Sequence, residues 1–563
     1  MHPSRCIRRT CVFVLALAPV AAGCLGRPVT NTSPDTTTVF STSIDKDAVE
    51  RVDLLFMIDN SKSMGDKQAY LASAVPDLLT RLVTPNCVSD VDDTTVVGVS
   101  SNGACPTGHL EFPPVHDMHI AVVSSSLGSL GGDVCADVAP GAPPVPNQQN
   151  DDAQLINRAN VADAPEGFLA WLPDTSANAG VSPTAGTPAV KDAATLVQDF
   201  QQIVTAVGEG GCGIEAQLES WYRFLVQPDP YASLTTQGGT ITMNGVDAAV
   251  LKQRHDFLRP DSLLAIIDLS DEDDSSVDVR AFNGTGVAGF LMNQNETGPY
   301  KGTPSCASDP GSSQCTSCDA QGVGGDPVCE AGDRYDPSTD APGEPNIRHV
   351  HMKQEFGLDS QFPLSRYQHG LTSPSVPDRA GEYPEGAQTY TGDDDCVNPI
   401  FAQDLPDGSD LTPSTLCNLT KGPRLPSDVY YAHIGGVPSD LLHYDPTNPS
   451  STTLSSDDWT KILGEKPDAY DYGDIDPRMA ETYEQRPNYA SPATTYWDLA
   501  YACTFRSRSH GTARRSVRSR AATAPRARRR RGRAAGSSAT RATRPCRSRR
   551  RRTPRSASST SRR

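Results

Sequence analysis

The sequence predicts an α/β fold: a doubly wound, mostly parallel sheet with helices on both faces, interrupted by long insertions and ending in disordered termini. Three observations carry this expectation. Short apolar runs recur at wide intervals, segments of helical periodicity lie between them, and the stretches left over are rich in Gly, Pro, Asp and Ser. Val52–Ile58 is the first apolar run and reads as a buried strand ending at Asp59. Gly65–Leu82 then places Leu71, Val75, Leu78, Leu79 and Leu82 at helical spacing, with Pro76 expected to kink the helix. His119–Ser124 is the second strand. From Pro188 to Val207, Leu196, Val197, Phe200, Ile203, Val204 and Val207 repeat like a helix, and a Gly-rich turn at Gly208–Gly213 leads to another helix through Leu218, Tyr222 and Leu225. Ser262–Ile267 is the third strand, running into the acid cluster Asp268–Asp274, and Val429–Ile434 is the fourth. In such a sheet, ligands sit beyond the carboxyl ends of the strands.

The body of this fold spans residues 49–445, with insertions at about 87–117, 128–187 and 283–428 and a carboxyl-terminal extension at 446–505. The insertions have too little apolar content for cores of their own, so they are expected as surface loops and subdomains stapled by disulfides. No internal repeat is visible.

Composition narrows the class. With 37% hydrophobic and 21% charged residues and no run of about 20 apolar residues, a polytopic membrane protein is excluded. The formal charge of −18 is a sum of unlike parts. Residues 506–563 hold 22 arginines and no lysine or acid residue, so the preceding residues carry a balance near −40. An Arg tail of this kind suits nucleic acid or another anionic surface. Arginine without lysine, mixed mainly with Ser, Ala, Thr, Pro and Gly, is also what a G+C-rich coding strand gives when read out of frame. The expectation here is a frameshifted tail and an acidic protein that does not bind nucleic acid.

At the amino terminus, Arg5, Arg8 and Arg9 precede an apolar stretch, Cys11–Val20, followed by Ala21, Ala22, Gly23 and Cys24. This is a signal peptide over residues 1–23, too short to span a membrane as a helix. The small residues before Cys24 resemble a bacterial lipobox, with Ala21 departing from the usual Leu. The resemblance implies acylation of Cys24, attachment to a membrane through that lipid alone, and, from Leu25, sorting to the outer membrane, either periplasmic or surface-exposed. Ordinary secretion is the alternative. Residues 24–48 read as a flexible tether. Export also makes disulfides the expected state of the cysteines, of which the body holds an odd number.

The chemistry lies at the end of the first strand. Asp59-Asn60-Ser61-Lys62-Ser63 sets one carboxylate and two hydroxyls on alternate residues where the strand stops. Hard oxygens converging on one point suit Mg²⁺, Mn²⁺ or Ca²⁺. A plainer use of Asp59 and Ser61 is to cap the next helix. The pattern, preceded by Leu55-Phe56-Met57-Ile58 and followed by Met64-Gly65, resembles the metal-ion-dependent adhesion site of von Willebrand factor type A domains, a Rossmann-like fold. That resemblance implies an Asp ligand from the strand after the third helix: Asp271, with Asp268 as the competing register. It also implies a Thr ligand before the preceding helix, where this chain has Gly210-Gly211-Cys212-Gly213-Ile214-Glu215 and no Thr. Cys212 is expected in a disulfide, with Cys135 a candidate partner, which leaves water or Glu215 to complete the site.

Phe356-Gly357-Leu358-Asp359, Pro363-Leu364 with Arg366-Tyr367, and Ile434-Gly435-Gly436-Val437-Pro438 narrow the resemblance to exported type A lipoproteins of Gram-negative bacteria. The resemblance runs from about Val52 to Phe505. It implies no enzyme activity, but adhesion to a protein ligand whose carboxylate completes the metal shell. A metal-dependent hydrolase on the same acidic strand ends is the alternative; no recognisable nucleophile or base accompanies it. Cys306, Cys315, Cys318 and Cys329 are expected as disulfides rather than zinc ligands, because their spacing is irregular and the compartment oxidising. His349 and His351, near Lys353, read as surface residues.

Overall fold

The computed structural model describes most of residues 51–500. It leaves out 62–63, most of 129–147, 238–239, 273, most of 285–299, 319–326, most of 331–348, 383–389, 391–395, 438–440, 442–453, 465–474, 488–494 and a few shorter stretches. The expectations for Cys24, the tether and the Arg tail lie outside the described residues.

The protein is a mixed α/β fold built on a six-stranded sheet. In chain order its strands are β1 (Arg51–Ile58), β2 (Asp117–Ser124), β3 (Phe168–Trp171), β4 (Ala189–Val190), β5 (Leu263–Leu269) and β6 (Val429–Ile434). Their order across the sheet is β6-β5-β1-β2-β3-β4, and every pairing except β2 with β3 is parallel. β1 lies near the middle because it is apolar on both faces: Leu55 and Met57 enter one buried cluster, and Leu54, Phe56 and Ile58 the other.

Helices cover both faces. On one, α1 (Gly65–Val83) contributes Val75 and Leu79, and α2 (Ala193–Ala206) contributes Leu196, Phe200 and Ile203; the Phe56 and Phe200 rings lie 4.9 Å apart. On the other, α3 (Gln217–Leu225) supplies Trp221, Tyr222, Phe224 and Leu225, and α4 (Ala248–Phe257) supplies Val250 and Phe257. α1 runs on through Pro76 as one helix. α2 starts five residues later than its periodicity suggested, because Asp192 accepts a hydrogen bond from Thr195 N and fixes the first turn there.

The stretches expected as inserted surface loops do more than cover the surface. Phe168–Trp171, a fully buried run of four residues, joins the sheet as β3, and Phe362, Tyr367, Ile400 and Phe401 pack into the main core. Arg366 ties the third insertion to α3. Its guanidinium binds Glu219, Glu382 and Gln227 and stacks 3.7 Å over the Tyr222 ring and 4.3 Å over Phe362. These segments lend several large side chains to the main core, while Met352 and Phe356 form a smaller buried cluster with Cys212, Ile214 and Val277.

Ten cysteines form five disulfides: Cys87–Cys105, Cys135–Cys212, Cys306–Cys315, Cys318–Cys329 and Cys396–Cys417. The eleventh cysteine of the body, Cys503, lies outside the described residues. At the amino ends of the strands, Asp53 is fully buried under Arg259, Ser262 and Arg424. His119 donates from Nδ1 to Phe257 O at 2.7 Å, and burial pulls its pKa down to about 4.

Two outcomes follow from these features. Cys135–Cys212 closes a separation of 77 residues, so a Cys135→Ser, Cys212→Ser double variant should lose about 2–4 kcal/mol in urea denaturation. His119 sits uncharged in the fold, while the unfolded chain binds its proton from about pH 6.5 downward. Stability is therefore lost as pH falls from about 6.5 to about 4. The wild type should lose about 3 kcal/mol more than His119→Gln across that window.

Candidate metal centre

Asp59 leaves β1 at the carboxyl edge of the sheet, where register fixes its neighbours. Ile58 pairs with Ser124 on one side and Leu269 on the other, so the next residues, Asp59, Ser125 and Ser270, stand at one level. Asp59 N donates to Leu269 O at 2.9 Å. The carboxylate is completely buried and accepts hydrogen bonds at both oxygens. Oδ1 receives Ser61 N at 2.8 Å and Ser125 Oγ at 3.0 Å; Oδ2 receives Ser270 Oγ at 2.7 Å. Ser270 is held in turn by Gln217 Nε2 from the first turn of α3, at 2.8 Å.

These bonds favour the charged form, yet burial and the neighbouring Glu215 carboxylate outweigh them, with Asp271 adding to the effect, and push the Asp59 pKa up to about 6. Glu215 is 2% exposed and accepts from Ser275 Oγ at 3.0 Å. Asp271 carries the Lys67 ammonium 2.9 Å from its Oδ2. Glu215 and Asp271 thus each add negative charge against the buried Asp59 carboxylate.

The loop before α3 is laid against Asn60. Gly211 N donates to Asn60 O at 2.9 Å, Ser126 Oγ donates to Asn60 Oδ1 at 2.7 Å, and Cys212 N donates to Ser126 Oγ at 2.9 Å. Gln68, in the first turn of α1, donates to both Asp59 O and Gly208 O, at 2.9 and 2.8 Å. Helix, strand end and Gly-rich loop are clamped together this way.

Of the residues singled out from sequence, Asp59 and Ser61 lie together, Asp271 acts on Asp59 across the site, and Ser63 lies outside the described residues. α1 begins after Met64, whose own side chain makes no cap, and the Asp59 carboxylate turns to Ser61 N, Ser125 and Ser270. Asp268 points elsewhere, accepting from Tyr431 Oη at 2.5 Å and lying 3.3 Å from His433 Nδ1. Cys212 is bonded to Cys135, and Glu215 stands close enough to raise the Asp59 pKa. Ser125, Ser270 and Gln68 were not singled out. The only signal for the two serines was their place one residue beyond each neighbouring strand.

Among the described residues, no three His, Cys, Asp or Glu side chains group closely enough to hold a metal by themselves, so any cation here depends on hydroxyl oxygens as well. Among the described residues, too, no helix is long and apolar enough to cross a membrane. No family model, curated protein or solved structure matches the chain.

Gly211 is required by close approach. A Cβ there would stand 2.3 Å from Asn60 Oδ1 and 2.6 Å from Asn60 O. Gly211→Ala should cost about 1–3 kcal/mol in chemical denaturation, because backbone on one side or the other must move.

Proposed function

We propose that this chain is an exported, lipid-anchored binding protein of the von Willebrand factor type A kind, which grips a protein partner through a divalent cation held at Asp59, Ser61, Ser63 and Asp271. The observation that carries this reading is the buried Asp59 carboxylate at the end of a central parallel strand, pressed by Glu215 and Asp271. Glu215 and Asp271 each set negative charge against the desolvated Asp59 carboxylate, which is unfavourable. A small hard cation relieves that repulsion, and a donor set of carboxylate and hydroxyl oxygens without His or Cys suits Mg²⁺, Mn²⁺ or Ca²⁺. The residues therefore fit such an ion.

When bound, the cation supplies a position that an acidic side chain of a partner can complete. The chain's own residues do the rest. Ser125 and Ser270 orient Asp59, Gln68 fixes the strand end to α1, and Glu215 stands in the region where the resembled family has a Thr. The reading also places Cys24 as the lipid attachment and the cell envelope as the location.

Calorimetric titration with MgCl₂ tests the site. Wild type should bind one Mg²⁺ and Asp59→Ala should lose at least about tenfold in affinity; an Asp59→Ala variant with unchanged affinity would sink the assignment. Capture of a protein partner should then require the divalent cation and be reversed by EDTA.

A further inference from the structure

We infer that Lys67 is a built-in cation that competes with the divalent ion for Asp271 and so sets the concentration at which the site loads. This deepens the metal-binding reading above and rests on it. Lys67 Nζ lies 2.9 Å from Asp271 Oδ2, with the two side chains 14% and 2% exposed. This is an enclosed pair, not a surface ion pair of negligible weight. Its position is imposed by the backbone. Lys67 immediately precedes Gln68, whose amide binds Asp59 O and Gly208 O, so the first turn of α1 cannot drift away from the strand end.

Charge explains what the ammonium does there. Glu215 and Asp271 each add negative charge against the buried Asp59 carboxylate, and burial makes such charge costly. Lys67 offsets that of Asp271 without metal. A divalent ion drawn to Asp271 then meets a positive charge already seated on that carboxylate, and the two repel. The flexible four-carbon stem of lysine lets its head withdraw toward solvent while the helix stays in place. Lys67 thus supports the metal-free fold and is displaced from Asp271 as the cation enters, so loading tracks the cation concentration around the protein.

The full chain, stripped with EDTA, is titrated with MgCl₂ by calorimetry and melted with and without MgCl₂, as wild type, Lys67→Gln, Lys67→Met and Lys67→Arg. The neutral variants should bind Mg²⁺ about tenfold or more tightly than wild type, the scale of one unit charge acting over a few ångströms in a partly screened site. They should melt lower in EDTA and recover in MgCl₂. Lys67→Arg, which keeps the charge, should stay within about threefold of wild type. Neutral variants that bind Mg²⁺ as wild type does, or more weakly, overturn the role of Lys67, while the loss in Asp59→Ala keeps the site itself standing. If neither wild type nor the neutral variants bind Mg²⁺, the site reading fails and takes this inference with it. A neutral variant that folds only with MgCl₂ supports the inference; one that stays unfolded at every MgCl₂ concentration counts against it.

Discussion

The arrangement of this molecule turns on one buried carboxylate. Asp59 sits at the carboxyl end of a strand with parallel neighbours on both sides, and its two oxygens are bonded from three separate segments: Ser61 on its own loop, Ser125 beyond β2 and Ser270 beyond β5. A buried acid of this kind is tolerated only when its lone pairs are met. The three loops must therefore leave the sheet in one fixed way. Gln68 and Gly211 extend the same constraint to α1 and to the loop before α3.

The opposite end of the sheet has a different character. Asp53 and Asp117 are matched there by Arg259 and Arg424, with Ser262 donating to Asp53. At the Asp59 end, Glu215 and Asp271 both add negative charge against one buried carboxylate, and among the described residues Lys67 is paired with Asp271. A paired network serves the fold, whereas an excess of one sign in an enclosed place is suited to taking up an ion. The proposed cation site lies at one end of the sheet because of that contrast.

Much of this was legible in the chain. Val52–Ile58, the α1 periodicity and Val429–Ile434 are strongly patterned, and each forms the element its pattern called for. Asp59 and Ser61 were visible because the motif is local: two residues and one turn of backbone bring them together. Phe168–Trp171 was passed over because four apolar residues inside a Gly- and Pro-rich stretch give no period, and only pairing with β2 makes them a strand. Arg366 is paired with Glu219, 147 positions earlier, a contact that no local pattern reveals.

The sequence by itself determined the class of fold, the place of the acidic centre at the end of the first strand, and the use of cysteine for disulfides. Apolar periodicity, a short motif and residue type are properties of neighbouring positions. Only the tertiary structure decided that Glu215 and Asp271 both act on Asp59, that Asp268 accepts from Tyr431, and that Lys67 seats its charge on Asp271. Those choices depend on strand register and on which way a side chain leaves a loop. A shift of one residue in the register of β5 reverses the direction each side chain faces.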